Sequence, residues 1–160
     1  MNDADILSRL SGLELELPAP PRPVAAYVSV KLAGDTAYVA GQVPMIEGKV
    51  LHPGRLGDPG LHVTPEEGAV AARQAALQSL SALRDALGGS FERLEGISQV
   101  TVYLATAPDF VDHAAVANGA SELLVSALGD SGKHARAAIG MASLPLGSCT
   151  EVAVTARITP

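Results

Sequence analysis

A chain of 160 residues, 48% hydrophobic and 18% charged, carries enough material for one buried core and fits a single domain, 1–160. Its formal net charge of −6 argues against nucleic acid as a partner, because that binding needs a basic footprint to displace counterions from phosphates. One cysteine, Cys149, leaves no internal disulfide framework, and no CxxC or histidine-rich spacing points to a metal. Aromatics make up 3% with no Trp, so the core must be built from Ala, Val and Leu. A positive mean hydropathy with so few charges suggests apolar surface shared between copies of the chain. No basic-then-apolar leader and no bilayer-length apolar run is present, so the expectation is a cytoplasmic protein with no membrane partner.

Residues 3–11 have helical spacing at Ile6, Leu7 and Leu10, with Gly12 as the stop. ELPAPPRPVAA follows, and its four prolines predict an extended entry segment, so residues 1–24 read as a short helix and its tail. From Tyr27 the period changes to two: Val28, Val30 and Leu32 share one face of YVSVKL. Gly34-Asp35 predicts a hairpin turn into TAYVAGQV, and MIEGKV around Gly48 a weaker third strand. The Gly/Pro-rich HPGRLGDPGLHV is a loop whose glycines lack the strand-to-helix context of a phosphate cradle. His52 and His62 flank it.

Thr64-Pro65-Glu66-Glu67 carries the strongest local signal, a capping residue, a proline for the first helical position and a glutamate to complete a capping box. The helix it opens shows Val70, Leu77, Leu80 and Leu87 before Gly88-Gly89. ISQVTVYLAT is a strand with Val100, Val102 and Leu104 on one face. A second helix is predicted from Pro108-Asp109, showing Phe110, Ala114, Ala117, Leu124 and Leu128. Within it Gly119 costs about 1 kcal/mol relative to alanine, which close packing against a neighbouring subunit or a helix–sheet contact would explain. RAAIGMAS and TEVAVTARI complete a β-β-(β)-α-β-α-β-β order, an α+β sheet with two long helices on one face.

Alternation assigns Tyr27, Ser29, Gln99, Thr101, Tyr103, Arg136, Ala138, Gly140, Glu151, Thr155 and Arg157 to the other face. That face is small and mixed, suited to packing against copies of itself. The short SLPLGS connection makes the strands bearing Arg136 and Glu151 expected neighbours. An arginine fork over a floor of Ala138 and Gly140 suits a carboxylate held by two parallel hydrogen bonds, and a nearby Glu151 suits holding a water or moving a proton. A structural ion pair between neighbouring strands is the alternative reading of the same two residues. Cys149 reads as a buried small hydrophobe, His113 as a helix histidine, and His134, just before Arg136, as a loop histidine, with a place at the mouth of the ligand site as the alternative.

LELPAPPRPVAAYVSV, YVAGQVP, EEGAVAARQAALQSLSAL, VYLATAPDF, NGASELLVSALG and HARAAIGMASLPLGSCTEVAV, in this order and spacing, resemble the RidA/YjgF-like family of reactive-intermediate deaminases. The likeness is strongest to the longer bacterial branch labelled YjgF-like or endoribonuclease L-PSP-like, and it covers nearly the whole chain. The resemblance implies a chorismate-mutase-like α+β fold, a homotrimer whose sheets form a central barrel, and ligand clefts between subunits. It implies that Arg136 clamps the carboxylate of a 2-imino or enamino acid and that Glu151 positions the hydrolytic water. Tyr27 lines the cleft, Asn118 lies near it, and Gly41-Gln42 corresponds to the family's SGQ strand end. Neither a metal nor an organic cofactor is implied. The family's deaminases usually carry Ser or Thr and then Cys after the arginine, where Ala137 and Ala138 stand here. Ala40 replaces a common serine and Ala153 a common acidic residue. Three readings stay open: an imine deaminase, a non-catalytic binder of small carboxylates, and a ribonuclease, after the family's older label.

Overall fold

The computed structural model describes residues 2–22 and 26–160; Pro23, Val24 and Ala25 of the proline-rich segment lie outside the described residues. Helix α1 (Asp3–Gly12) precedes β1 (Val30–Ala33) and β2 (Thr36–Gln42), followed by two short pairs, β3 (Met45–Ile46) with β4 (Lys49–Val50) and β5 (Arg55–Leu56) with β6 (His62–Val63). Then come α2 (Pro65–Ala86), β7 (Leu94–Ala105), α3 (His113–Leu128), β8 (Ala135–Met141) and β9 (Thr150–Ile158). The main sheet has the order β1-β2-β9-β7-β8. No helix among the described residues is long and apolar enough to cross a membrane.

The capping box forms as its residues dictate: Thr64 Oγ1 accepts from Glu67 N–H at 3.1 Å, and Glu67 Oε2 accepts from Thr64 N–H at 2.9 Å. Beyond it α2 is buried on most of its circumference from Ala71 to Leu83, because it lies between the sheet and α3. Val70 is the exception to the predicted apolar stripe, half exposed on the outer side. Helix α3 begins at His113, later than Pro108-Asp109 predicts. The preceding residues make a turn instead, with Phe110 N–H donating to Ala107 O. Ala114 is exposed, while Val116, Ala117, Ala120, Leu123 and Leu124 are buried. Gly119 lies against the backbone of Ala69 in α2, a helix–helix approach within one chain rather than the expected helix–sheet contact.

Helix α1 belongs to the core. Ile6 and Leu10 are fully buried, and Asp3 accepts from Arg84 Nε and Nη2 and from Phe91 N–H, tying α1 to the end of α2 and the entry to β7. The first strand is shorter than predicted. It starts at Val30, and Val28 is exposed, because Ser29 Oγ donates to Pro21 O and turns the chain before pairing begins. MIEGKV, expected as a single weak third strand, folds instead back on itself as a tight hairpin of β3 with β4, in which Glu47 and Gly48 both take positive φ, the backbone that a two-residue turn requires.

Strands β8 and β9 are not neighbours. β7 lies between them, parallel to β8 and antiparallel to β9. The cause is the crossover: β7-α3-β8 is a βαβ unit, which places β8 alongside β7 in parallel at the sheet edge. Residues 142–149 then arch over the end of β7, where Thr106 N–H donates to Met141 O and Ala105 N–H to Cys149 O. Helices α2 and α3 cover the face carrying Val100, Val102, Leu104, Val152 and Val154, all buried.

Candidate functional site

Arg136 stands on the edge strand β8, opposite Val100 of β7. Partners across a ladder share a face, so its side chain lies on the helix-covered side, and its contacts agree. Nη1 donates to Asn118 Oδ1 at 2.8 Å and to Ser121 Oγ at 3.2 Å, and Nη2 donates to Ala114 O at 3.5 Å. Residues 114, 118 and 121 recur at four and three along one face of α3, which is why one guanidinium meets all three. Arginine has five N–H donors. Three are used, and Nε–H and one Nη2–H have no partner among the described residues. Those two form a side-on fork matching the two oxygens of a carboxylate. Ala138 and Gly140 follow on the same side of β8. Gly140 is required there, since a Cβ would meet His113 Nε2 at 2.6 Å and Thr106 Oγ1 at 2.9 Å.

Glu151 stands at the start of β9, opposite Tyr103. β2 bulges between Val39 and Gln42, and this bulge lays the Glu151 carboxylate over Gly41. A Cβ on Gly41 would overlap Glu151 Oε1, so any larger residue there displaces the carboxylate. The recess around it has a volume of about 650 Å³ and is lined in part by Tyr27, Ser29, Gly41, Met45, Gln78, Leu146 and Glu151. Burial pushes the Glu151 carboxyl above its ordinary range. The buried Gln42 donates to Ala40 O at 2.8 Å and closes the bulge beneath it.

The predicted residues therefore form two groups: Arg136, Asn118 and Ala138 in one, and Glu151, Gly41 and Tyr27 in the other. Glu151 pairs with Tyr103 while Arg136 pairs with Val100, and residues an odd number apart on one strand face opposite ways. The expectation that Arg136, Ala138 and Gly140 share a face with Glu151 is thus overturned, and with it the ion-pair alternative. Two strand spacings and three residues along β7 also separate their backbones, roughly 14 Å. The residues of β8 on the uncovered face are Ala135, Ala137, Ile139 and Met141. Ile139 is 42% exposed and Met141 37%, joined on the same face by Tyr38 at 51%. Within one copy of the chain the two groups of residues do not meet.

Comparison with known proteins bears on what these groups belong to. A family model described as "YjgF/chorismate mutase-like, putative endoribonuclease" matches residues 7–158. The chain belongs to the YjgF family. Protein TCP17 of Trypanosoma cruzi is 37% identical over 92% of this chain and 90% of its own length. The structure of Atu1372 from Agrobacterium tumefaciens, described as of unknown function, superposes with a TM-score of 0.90 at 35% identity, covering 98% of this chain and 94% of that one. RidA from the Antarctic bacterium Psychrobacter sp. PAMC 21119 superposes less deeply, with a TM-score of 0.57 at 26% identity over 88% of this chain and 94% of that one. The chorismate-mutase-like α+β fold of the YjgF family is thereby established.

Of two further residues beside Arg136, Ser121 escapes a reading of the sequence, and His134 is marked in it by its place just before Arg136. Ser121 touches both Arg136 and His134, and His134, expected as an ordinary loop histidine, bonds Ser121 from Nε2 at 2.9 Å. Only the spacing of Asn118 to Ser121 hints at the first, and only its place two residues before Arg136 hints at the second. Cys149 is fully buried, and desolvation pushes its thiol up to about 11, which leaves it inert as a nucleophile.

Proposed function

We propose that this YjgF-family protein is a 2-imino acid deaminase acting in clefts between copies of the chain in a homotrimer. The observation that carries this reading is the division of the site: a half-occupied arginine fork on one side of the sheet and a desolvated carboxylate on the other. Each lacks what the other supplies. The apolar Ile139, Met141 and Tyr38 on the uncovered face support association of copies there.

In such a cleft the substrate carboxylate docks on Nε–H and Nη2–H of Arg136, a group that stays charged at every working pH. Glu151 of the adjoining copy accepts a proton from water as the water oxygen bonds to C2. It passes that proton to the nitrogen, giving a carbinolamine, then takes the hydroxyl proton and delivers it to the same nitrogen as the C–N bond breaks and the C=O bond forms, so both water hydrogens leave on the ammonia. The products are a 2-keto acid and ammonia, and the proton count closes. Imines already hydrolyse in water, so holding the two reactants together can supply much of the acceleration.

The test couples an amino-acid oxidase, which generates the imine, to semicarbazide trapping, with and without this protein. Wild type should shorten the lifetime of the imine, and no acceleration across small, branched and aromatic imino acids would remove the deaminase reading. The pH dependence is a second prediction. Glu151 works as the carboxylate, so the rate falls as pH drops through its raised pKa, above the ordinary value of 4.5, and Glu151→Gln should lose both the rate and that acid limb. The stability sign is opposite to the activity. A raised pKa contributes stability at low pH that is lost as pH rises through it, so Glu151→Gln should melt no lower than wild type at neutral pH.

A second reading has its own support. Ala40, Ala137, Ala138 and Ala153 leave few hydroxyl, thiol or acidic groups to orient a substrate, which favours a carboxylate-binding protein without turnover. Saturable binding of 2-keto acids without imine hydrolysis would establish it. The endoribonuclease description in the family fits poorly with a net charge of −6.

A further inference from the structure

We infer that Ser121 and His134 are positioning residues that set the direction of the Arg136 fork, an inference that rests on Arg136 being the carboxylate clamp. With the His134 imidazole neutral, the geometry is a chain of hydrogen bonds with a single direction. His134 Nδ1 lies 2.6 Å from Gly132 O. A carbonyl only accepts, so Nδ1 carries the hydrogen, and in the neutral ring Nε2 is left as an acceptor. Ser121 Oγ, 2.9 Å from Nε2, must then donate to it. With its hydrogen committed, the hydroxyl presents only lone pairs to its other neighbour, Arg136 Nη1 at 3.2 Å.

The consequence falls on the arginine. Nη1 is the nitrogen whose two hydrogens are both engaged, one by Asn118 Oδ1 and one by Ser121 Oγ. Rotation about the Cζ–Nη1 bond would break both. The Nε/Nη2 edge therefore stays free as a unit, and a carboxylate meets a fork already oriented, which lowers the entropic cost of binding. A serine whose hydroxyl could turn would lack this property, because it would present its own hydrogen to the guanidinium part of the time. Gly132 itself is fixed: it is buried, and a Cβ would overlap the carbonyl of Leu124 at the end of α3.

The test uses the full-length protein and 2-oxobutanoate as the probe. Ser121→Ala and His134→Ala should each weaken its binding about tenfold, the effect of one charge-assisted hydrogen bond. Ser121→Thr and His134→Gln, which keep the hydroxyl and the acceptor, should restore most of it. In the Arg136→Ala background the Ser121 change should add nothing. The second arm is independent of any ligand: in nitrogen NMR spectra the Arg136 Nη signals should be resolved in wild type and merge in Ser121→Ala as the fork begins to rotate. Unchanged binding together with unchanged Nη signals in both alanine variants would overturn the relay. Wild type that shows neither probe binding nor imine hydrolysis, but keeps Nη signals sensitive to Ser121 and His134, would instead overturn the deaminase reading and leave the relay standing.

Discussion

Arg136→Ala should abolish measurable imine hydrolysis while leaving the fold intact. The fork offers two charge-assisted hydrogen bonds, each worth roughly 1.5–3 kcal/mol, so their loss should lower kcat/KM by about 10²- to 10⁴-fold. The residue is exposed on an edge strand, and its contacts to α3 are peripheral to the core, so the melting temperature should change little. Arg136→Lys is the more informative companion. Lysine keeps the charge but presents it as a point rather than a fork, and it cannot hold Asn118 and Ser121 while offering a parallel pair to substrate. It should recover only a small part of the rate. Steady-state rates on one imino acid and a thermal melt for each variant decide the matter. An Arg136→Ala protein with wild-type turnover would exclude this residue as the clamp.

Gly119→Ala should give a large loss of stability for so conservative a change. A Cβ there would overlap Ala69 O and stand 3.0 Å from Ala69 Cα. The obstruction is backbone inside a helix and cannot rotate aside. Gly68 is similarly closed off by Leu56 and Val116, so α2 and α3 meet along a seam that admits no further methyl groups. Forcing the helices apart costs about 1–3 kcal/mol or more, and the better helix propensity of alanine returns about 1 kcal/mol. For a domain of this size a net loss of about 2 kcal/mol lowers the melting temperature by about 4–8 °C. A melt indistinguishable from wild type would show that the seam can relax. Activity should fall with it, since α3 also carries Asn118 and Ser121 to the arginine.

Features decided by near neighbours in sequence are legible from the residues alone. The capping box of α2, the alternation of β7 and β9 and the turn at Gly34-Asp35 each involve groups within a few residues of one another. The orientation of β8 is not legible in that way. Alternation says that Arg136, Ala138 and Gly140 point one way and Ala137, Ile139 and Met141 the other, but not which way faces the helices. Hydrophobicity normally chooses, and here it points wrongly: Ile139 and Met141 lie on the uncovered face, while Gly140 and Ala138 make room under α3 for His113 and Arg136. Strand order misleads for a related reason. A short loop suggests adjacent strands, yet the βαβ crossover has already assigned the place beside β8. The approach of Glu151 to Gly41 depends on a bulge in a different strand, and that of His134 to Ser121 on how α3 docks. Neither is written in local spacing.

The placement of Arg136 and Glu151 on opposite sides of one sheet has a genetic consequence. Under the proposed assembly each cleft takes its arginine from one chain and its glutamate from the next. Two alleles, one Arg136→Ala and one Glu151→Gln, would each be inactive alone. Unfolded, mixed in equal amounts and reassembled, they would pair at random, and about one cleft in four would receive both intact residues, as independent draws from the two chains require. Two dead proteins would thus yield a partly active one. If instead both residues served a site within one chain, the mixture would stay as inactive as its parents.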